Sequence, residues 1–187
     1  NTHHKDDNLF SIAIIGGSQA ANIFDTLINE TLVNISRTRL LKVIHQTSEK
    51  NIDLLKDFYK KNKIESKVFT FDQKLDVLLK QSDLCITRAG ASSLAELSSL
   101  NIPFIAIPLP SSKDNHQYEN AKYYKDKDCC WIIDQNSFDK QKFEELLVKI
   151  LNKKGEYLTK KNNLEKLNYQ NTWNNVNQKI LKILNEN

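Results

Sequence analysis

"ITRAGASSLAEL", Ile86 to Leu97, passes from an apolar strand-like run into a turn centred on Gly90 and then into a helix whose opening turns hold Ser92, Ser93 and Glu96. A strand that feeds a helix through so short a turn is half of a strand-helix-strand crossover, and the same unit recurs along the whole chain. Phe10 to Ile15, Leu40 to His45, Lys67 to Phe71, Asp83 to Thr87, Pro103 to Pro108 and Cys129 to Asp134 have the length and the β-branched or aromatic content of strands. Helical patterns fill the gaps: Asn22 to Asn34, Glu49 to Lys61, Lys74 to Gln81, Ser92 to Ser99, Asn115 to Lys127 and Phe138 to Asn152. Right-handed crossovers of this kind build a parallel sheet covered on both faces. The expected fold is therefore α/β, doubly wound and Rossmann-like.

Whole-chain properties bound what such a fold does here. The 187 residues suffice for one α/β domain and are few for two, and 40% hydrophobic with 27% charged residues is a soluble globular composition. No apolar run is long enough to cross a bilayer, and "NTHHKDDNLF" lacks an apolar signal core, so a cytoplasmic protein is expected. The net charge of +4 is spread over scattered lysines, densest in "YKKNK" and "NKKGEYLTKK", which read as solvated helix ends. Without a basic cluster interleaved with aromatics, no nucleic-acid partner is expected. Three cysteines give no disulfide framework; Cys85 reads as a core residue, and Cys129 and Cys130 lack metal-ligand spacing.

By segment, residues 1–9 read as a linker or disordered N-terminus and 10–152 as the Rossmann-like domain. Residues 153–187 read as a C-terminal helical extension with apolar spacing at Val176, Ile180, Ile183 and Leu184. That stripe has two candidate partners, its own sheet or a second domain absent from this chain.

Ligands of open parallel sheets bind beyond the carboxyl ends of the strands. Three turns there have unusual composition. In "IIGGSQAAN", Gly16, Gly17 and Ser18 suit either a tight turn with Ser18 as helix cap or a phosphate held on helix N-H groups. The segment has neither the Rossmann glycine pattern nor the lysine of a P-loop. In the opening stretch, Ser93-Leu94-Ala95-Glu96 matches a capping box, while Glu96 is equally suited to accept from a pair of sugar hydroxyls. In "PLPSSKDNHQYENAKYY", a helix starts near Asp114 or Asn115, and Gln117 and Asn120 stand one turn apart, each with an amide donor and acceptor. His116 has no second ligand nearby in sequence, and "DKD" at Asp126 to Asp128 sits ahead of a strand rather than after one. No metal and no cofactor is expected.

Taken in order, "GGSQAAN", "TRAGASSLAEL" and "NIPFIAIPLPSSKDNHQYENA" resemble the C-terminal, nucleotide-sugar-binding half of the MurG-type glycosyltransferases, from about Phe10 to the C-terminal helix. The resemblance implies one half of a GT-B fold. It also implies an inverting, metal-independent transfer of N-acetylglucosamine from UDP-GlcNAc to lipid I, giving lipid II for peptidoglycan. It places Gly17 and Ser18 at the diphosphate, the Ala91, Ser92, Ser93, Leu94, Ala95 and Glu96 stretch around the nucleotide with Glu96 on the ribose diol, and Gln117 with Asn120 on the sugar. Phe71 and Asp72, after the third strand, would hold the uracil through backbone groups. Where the family usually has glycine, this chain has Ala20, whose methyl is tolerated at negative φ and obstructs at positive φ.

The family's acceptor site, membrane-facing patch and general base belong to an N-terminal domain, so no catalytic residue is assigned in this chain. An isolated chain is expected to bind UDP-GlcNAc weakly and turn nothing over, with the complete enzyme cytoplasmic and peripheral on the inner face of the plasma membrane. Two alternatives stay open. One is the soluble donor-binding subunit of a bipartite dolichol-pyrophosphate GlcNAc transferase; the other is a non-catalytic sugar-nucleotide-binding protein.

Overall fold

The computed structural model describes residues 9–16 and 23–170, together with Val176, Gln178 and Lys182. Six parallel strands form one sheet: β1 (Leu9–Ile15), β2 (Leu40–Gln46), β3 (Glu65–Phe69), β4 (Leu84–Thr87), β5 (Phe104–Ala106) and β6 (Cys130–Ile132). Their spatial order is β3-β2-β1-β4-β5-β6. The chain winds outward from β1 to β3, returns to β4 beside β1, and winds outward again to β6. The reversal between β1 and β4 is the point where an open α/β sheet offers a crevice to ligands. Ile15 pairs with Thr87 at that end, so the turns after β1 and β4 leave the sheet side by side.

Side chains alternate across the central strands and divide the core in two. Phe10, Ile12 and Ile14 of β1, Val43 of β2 and Ile86 of β4 face one way. They pack with Leu32 and Ile35 of α2 (Asn29–Ser36), Leu55 and Tyr59 of α3 (Ile52–Lys61), and Phe143, Leu147 and Ile150 of α7 (Lys140–Leu151). Ala13, Ile15, Cys85 and Phe104 face the other way, against α4 (Leu75–Leu79), α5 (Ala91–Ser99), α6 (His116–Lys125) and α8 (Glu156–Gln170). With helices on both faces, β1 and β4 contain almost no polar residue, as a parallel sheet requires. The three cysteines are buried and free. Burial pushes the Cys130 thiol up to about 12, which leaves it inert in the core.

Several boundaries differ from those the sequence suggests. The helix expected over Asn22 to Asn34 is two elements, α1 (Phe24–Leu27) and α2, separated at Ile28, where the Asn29 side chain donates to the Asp25 carbonyl. β3 ends at Phe69 rather than Phe71. The carboxylate of Asp72 draws the chain out of the sheet by accepting from the Lys74 N-H (2.9 Å) and from Lys67 Nζ (2.8 Å). Before α6 the chain passes through Asp114 (φ 51°) and Asn115 (φ 54°), both left-handed, so the helix starts one residue later than expected, at His116.

α8 covers its own sheet through Leu164 and Leu167, and Asn168 clasps α5 by donating to the Ser98 carbonyl (2.5 Å) and to Asn101 Oδ1 (2.6 Å). Within "NKKGEYLTKK", Lys160 is not a solvated end. It is buried, 4.8 Å over the Trp131 ring, and donates to Asp128 Oδ1 at 2.6 Å. Ile180, Ile183 and Leu184 of the expected apolar stripe lie outside the described residues; Val176 is helical and half-buried.

Candidate functional site at the carboxyl rim of the sheet

The turn after β4 is built differently from a glycine turn. The left-handed residue is Ala89 (φ 64°), fully buried, while Gly90 has an ordinary extended conformation (φ −62°, ψ 139°) and caps α5. Gly90 is a cap without a side chain, and the first helical bond runs from the Leu94 N-H to the Gly90 carbonyl at 3.0 Å. The N-H groups of Ala91, Ser92 and Ser93 therefore precede the helical ladder and point outward at the positive end of the helix.

This geometry overturns the capping-box reading: with α5 starting at Ala91, Ser93 is the third helical residue and not the cap. Ala91, Ser92 and Ala95 are exposed, and Ser93 and Glu96 are half-buried. Leu94 is buried in the core and leaves only its backbone to the rim. Ser93 and Glu96 line a small crevice with Ile15 of β1 and with Leu75 and Leu79 of α4. The glutamate thus faces the strand that ends in the first turn and the helix that follows Phe71 and Asp72.

The third motif closes on the second. Asn120 Nδ2 donates to the Ala89 carbonyl (3.2 Å), and Gln117 Oε1 accepts from the Leu109 N-H (2.8 Å). Each amide commits one hydrogen bond to the fold. These bonds fix the amide orientations, leaving the NH2 group of Gln117 and the carbonyl oxygen of Asn120 as the groups not engaged in them.

At the β3 turn, Phe71 is 76% exposed, and both Asp72 oxygens are engaged as described above. The hydrogen bond from Lys67, and then that from the Lys74 N-H, hold the Asp72 carboxyl below its ordinary range. The Asp72 carboxylate is thus committed to the fold, and the backbone of the turn and the exposed Phe71 ring face outward. Gly17, Ser18 and Ala20 lie outside the described residues.

Two groups on this side of the sheet have partners that the sequence does not announce: Arg88, which the sequence places beside the β4 turn without fixing its direction, and Asp25. Arg88 points into the sheet end, donating to the Ile107 carbonyl (3.0 Å) and to Gln135 Oε1 (2.6 Å), with its guanidinium 5.0 Å over the Phe24 ring. It joins the chain after β5, the chain after β6 and the start of α1. Asp25 is also buried. Its Oδ2 accepts from Thr47 (2.8 Å) and Asn51 (2.5 Å), and its Oδ1 lies 3.3 Å from Nε2 of the fully buried His45, whose Nδ1 meets Tyr59 Oη at 2.7 Å. The partners of both groups come from distant segments, so no local spacing announces them. Among the described residues no three His, Cys, Asp or Glu side chains are placed to hold a metal ion. Asp128 of the "DKD" stretch is taken by Lys160.

Comparison with known proteins agrees with this architecture. A protein of Pelagibacter ubique (strain HTCC1062), named UDP-N-acetylglucosamine--N-acetylmuramyl-(pentapeptide) pyrophosphoryl-undecaprenol N-acetylglucosamine transferase, is 41% identical over 185 residues. That match takes in 99% of this chain and 52% of the relative. A protein of the same name from Wolbachia sp. subsp. Drosophila simulans (strain wRi) is 34% identical over 172 residues, 91% of this chain and 50% of the relative. The chain thus spans about half the length of these relatives.

Among solved structures, MurG of Acinetobacter baumannii superposes with a TM-score of 0.75 at 22% identity, covering 87% of this chain and 46% of that one. The spinosyn rhamnosyltransferase SpnG, solved with thymidine diphosphate, superposes at 0.61 and 14% identity, covering 85% of this chain and 41% of that one. Both likenesses show the fold, that of one half of a GT-B enzyme. The model of the glycosyltransferase family 28 C-terminal domain matches residues 11–181, nearly the whole described chain, and the chain belongs to that family.

Proposed function

We propose that this chain is the donor-binding half of an inverting transferase that moves GlcNAc from UDP-GlcNAc to lipid I, forming lipid II. The observation that carries this reading is the Asn120 bond to the Ala89 carbonyl, which draws the α6 amides to the uncapped N-terminus of α5 at the reversal point of the sheet. A diphosphate fits the outward N-H groups of residues 91 to 93, where negative charge builds up as UDP departs. Glu96 accepts from the ribose hydroxyls, the backbone at Phe71 and Asp72 meets the uracil, and Gln117 and Asn120 read the sugar. Gly17 and Ser18 complete the phosphate side.

The lipid-linked acceptor and the general base belong to the other half of the enzyme. The assembled enzyme works in the cytoplasm, peripheral on the inner face of the plasma membrane. Among the described residues no helix is long and apolar enough to cross a membrane.

Titration calorimetry with UDP-GlcNAc and with ADP-glucose tests the reading. Weak but selective binding of UDP-GlcNAc is expected. Equal binding of the two compounds, or none of either, would count decisively against it.

The bare cap gives a second test. An added Cβ at Gly90 meets only Ser93 Oγ, at 3.8 Å, and the local φ is open to any residue. Nothing in the described fold demands glycine, and serine is the better cap. Gly90→Ser is expected to stabilise the chain by about 0.3 kcal/mol in urea unfolding, with an unchanged m-value. It is also expected to weaken UDP-GlcNAc binding, because its hydroxyl takes up an N-H group that the diphosphate needs. A variant that gained stability and kept full affinity would place the anion elsewhere.

A further inference from the structure

Arg88 is a buried charge with no opposite charge beside it. Its residue is 8% exposed, and its contacts are the Ile107 carbonyl, the Gln135 amide oxygen and the Phe24 ring, all neutral. Among the described residues no carboxylate pairs with it. Asp25, next to Phe24, is turned to Thr47, Asn51 and His45, and Asp134, next to Gln135, accepts from the Asn136 N-H and the Ser137 hydroxyl.

A guanidinium does not shed its proton in proteins, so this site holds a full positive charge. Two carbonyl-type dipoles, both reached from Nη1, and a ring face leave the net charge in place, at the desolvation cost that a buried ion carries without a partner. The hydrogen bonds alone do not call for a cation, since the NH2 of a neutral amide can donate to both oxygens. Burial lowers the Arg88 pKa, the direction expected of a cation that lacks a counter-charge.

The position of the charge says what would balance it. Arg88 stands two residues before the Gly90 cap, at the end of β4 beside the reversal point, so its charge adds to the positive end of α5 over the same stretch of rim. Low-dielectric surroundings strengthen the combined field where it emerges. We propose that Arg88 is the fixed counter-charge for the diphosphate of the sugar nucleotide, and that it sets the preference of the site for charged nucleotides over the uncharged nucleoside. The inference rests on the donor-site reading and deepens it. Arg88 acts through its field from beneath the loops, and the α5 N-H groups make the contacts.

The test compares UDP with uridine, which has the same base and ribose without the phosphates. Titration of both into the wild-type chain is expected to favour UDP at least tenfold. In Arg88→Gln, which keeps a donor for Ile107, that ratio is expected to shrink about tenfold through loss of UDP affinity, while uridine affinity stays within twofold. The ligand-free melting temperature of the variant is expected to be equal to or above that of the wild type, because an unpaired buried charge has been removed. Should Arg88→Gln fail to fold, Arg88→Met, whose apolar stem still covers Phe24, carries the same comparison. Arg88→Lys, which keeps the charge, is expected to hold most of the UDP preference.

A neutral variant that keeps the wild-type ratio, or loses UDP and uridine affinity equally, overturns the inference and leaves Arg88 a strut between turns. Failure of the wild-type chain to bind either compound overturns the donor-site reading together with it.

Discussion

Asp83→Ala is expected to destabilise the chain by about 2 kcal/mol, the scale of leaving a buried N-H group unsatisfied, since the paired Lys153 side chain is 37% exposed and stays solvated. In a chain of this size that is a fall of about 4–8 °C in melting temperature. Asp83 precedes β4 at the amino end of the sheet and is 9% exposed. Its N-H donates to the Ser11 carbonyl at 2.7 Å, and its Oδ2 accepts from the Ser11 N-H at 2.9 Å, so one residue closes the β1 to β4 pairing from both sides. Oδ1 pairs with Lys153 at 3.2 Å, and the Tyr157 hydroxyl donates to its carbonyl at 3.1 Å, which ties in the link between α7 and α8.

Alanine leaves the Ser11 N-H without a partner in a buried strand and frees Lys153 of its counter-charge. Asp83→Asn restores an acceptor for Ser11 but not the charge, and should recover part of the loss. Urea unfolding of the three proteins orders them wild type, asparagine, alanine. An alanine variant within 1 kcal/mol of wild type would show that the pairing of β1 with β4 does not depend on this carboxylate.

Asp25→Ala has a larger expected cost, about 3 kcal/mol, with a pH dependence that identifies its source. Burial raises the pKa of Asp25, but the close approach of the His45 imidazole and the hydrogen bonds from Asn51 and Thr47 together outweigh it, and the folded-state value lies below the ordinary one. A carboxylate depressed in this way contributes its full stability above its unfolded pKa of about 3.9 and loses it as the pH falls through the lower folded value. The gap between wild type and variant is therefore expected to stay constant around neutrality and to narrow below about pH 4. A gap that held its size at pH 3 would mean that the alanine acts by leaving a cavity rather than by removing a charge.

The fold was largely legible because its strands are buried on both faces. Ile12, Ala13 and Ile14, or Leu84, Cys85 and Ile86, stand out as short apolar runs with no polar alternation. Boundaries were less so, since they depend on side chains that compete with the backbone: Asp72 ends β3 early, and the left-handed pair Asp114 and Asn115 delays α6. At the site, the motif residues are locally encoded, and the structure brings the turn after β4 and the start of α6 into contact. What each residue does there was not encoded. Serine and glutamate three apart read as a capping box, whereas the helix is capped three residues earlier, on a glycine.

Arg88 and Asp25 depend on partners brought in by topology. Gln135 lies 47 positions from Arg88, and Thr47 lies 22 from Asp25. No window of a sequence pattern spans such distances.

The order in which the strands leave the sheet also sets a timetable for synthesis on the ribosome. β1, β2 and β3 emerge first and can pair among themselves, yet β1 keeps an open edge until residues 84–87 arrive, and the bond that joins α6 to the β4 turn waits for Asn120. When the chain has emerged only as far as residue 119, five of the six strands are out, but the contact that joins α6 to the β4 turn is still missing. On the donor-site reading proposed above, a ligand can assist folding only once Asn120 has emerged, with a single strand, β6, still to be added.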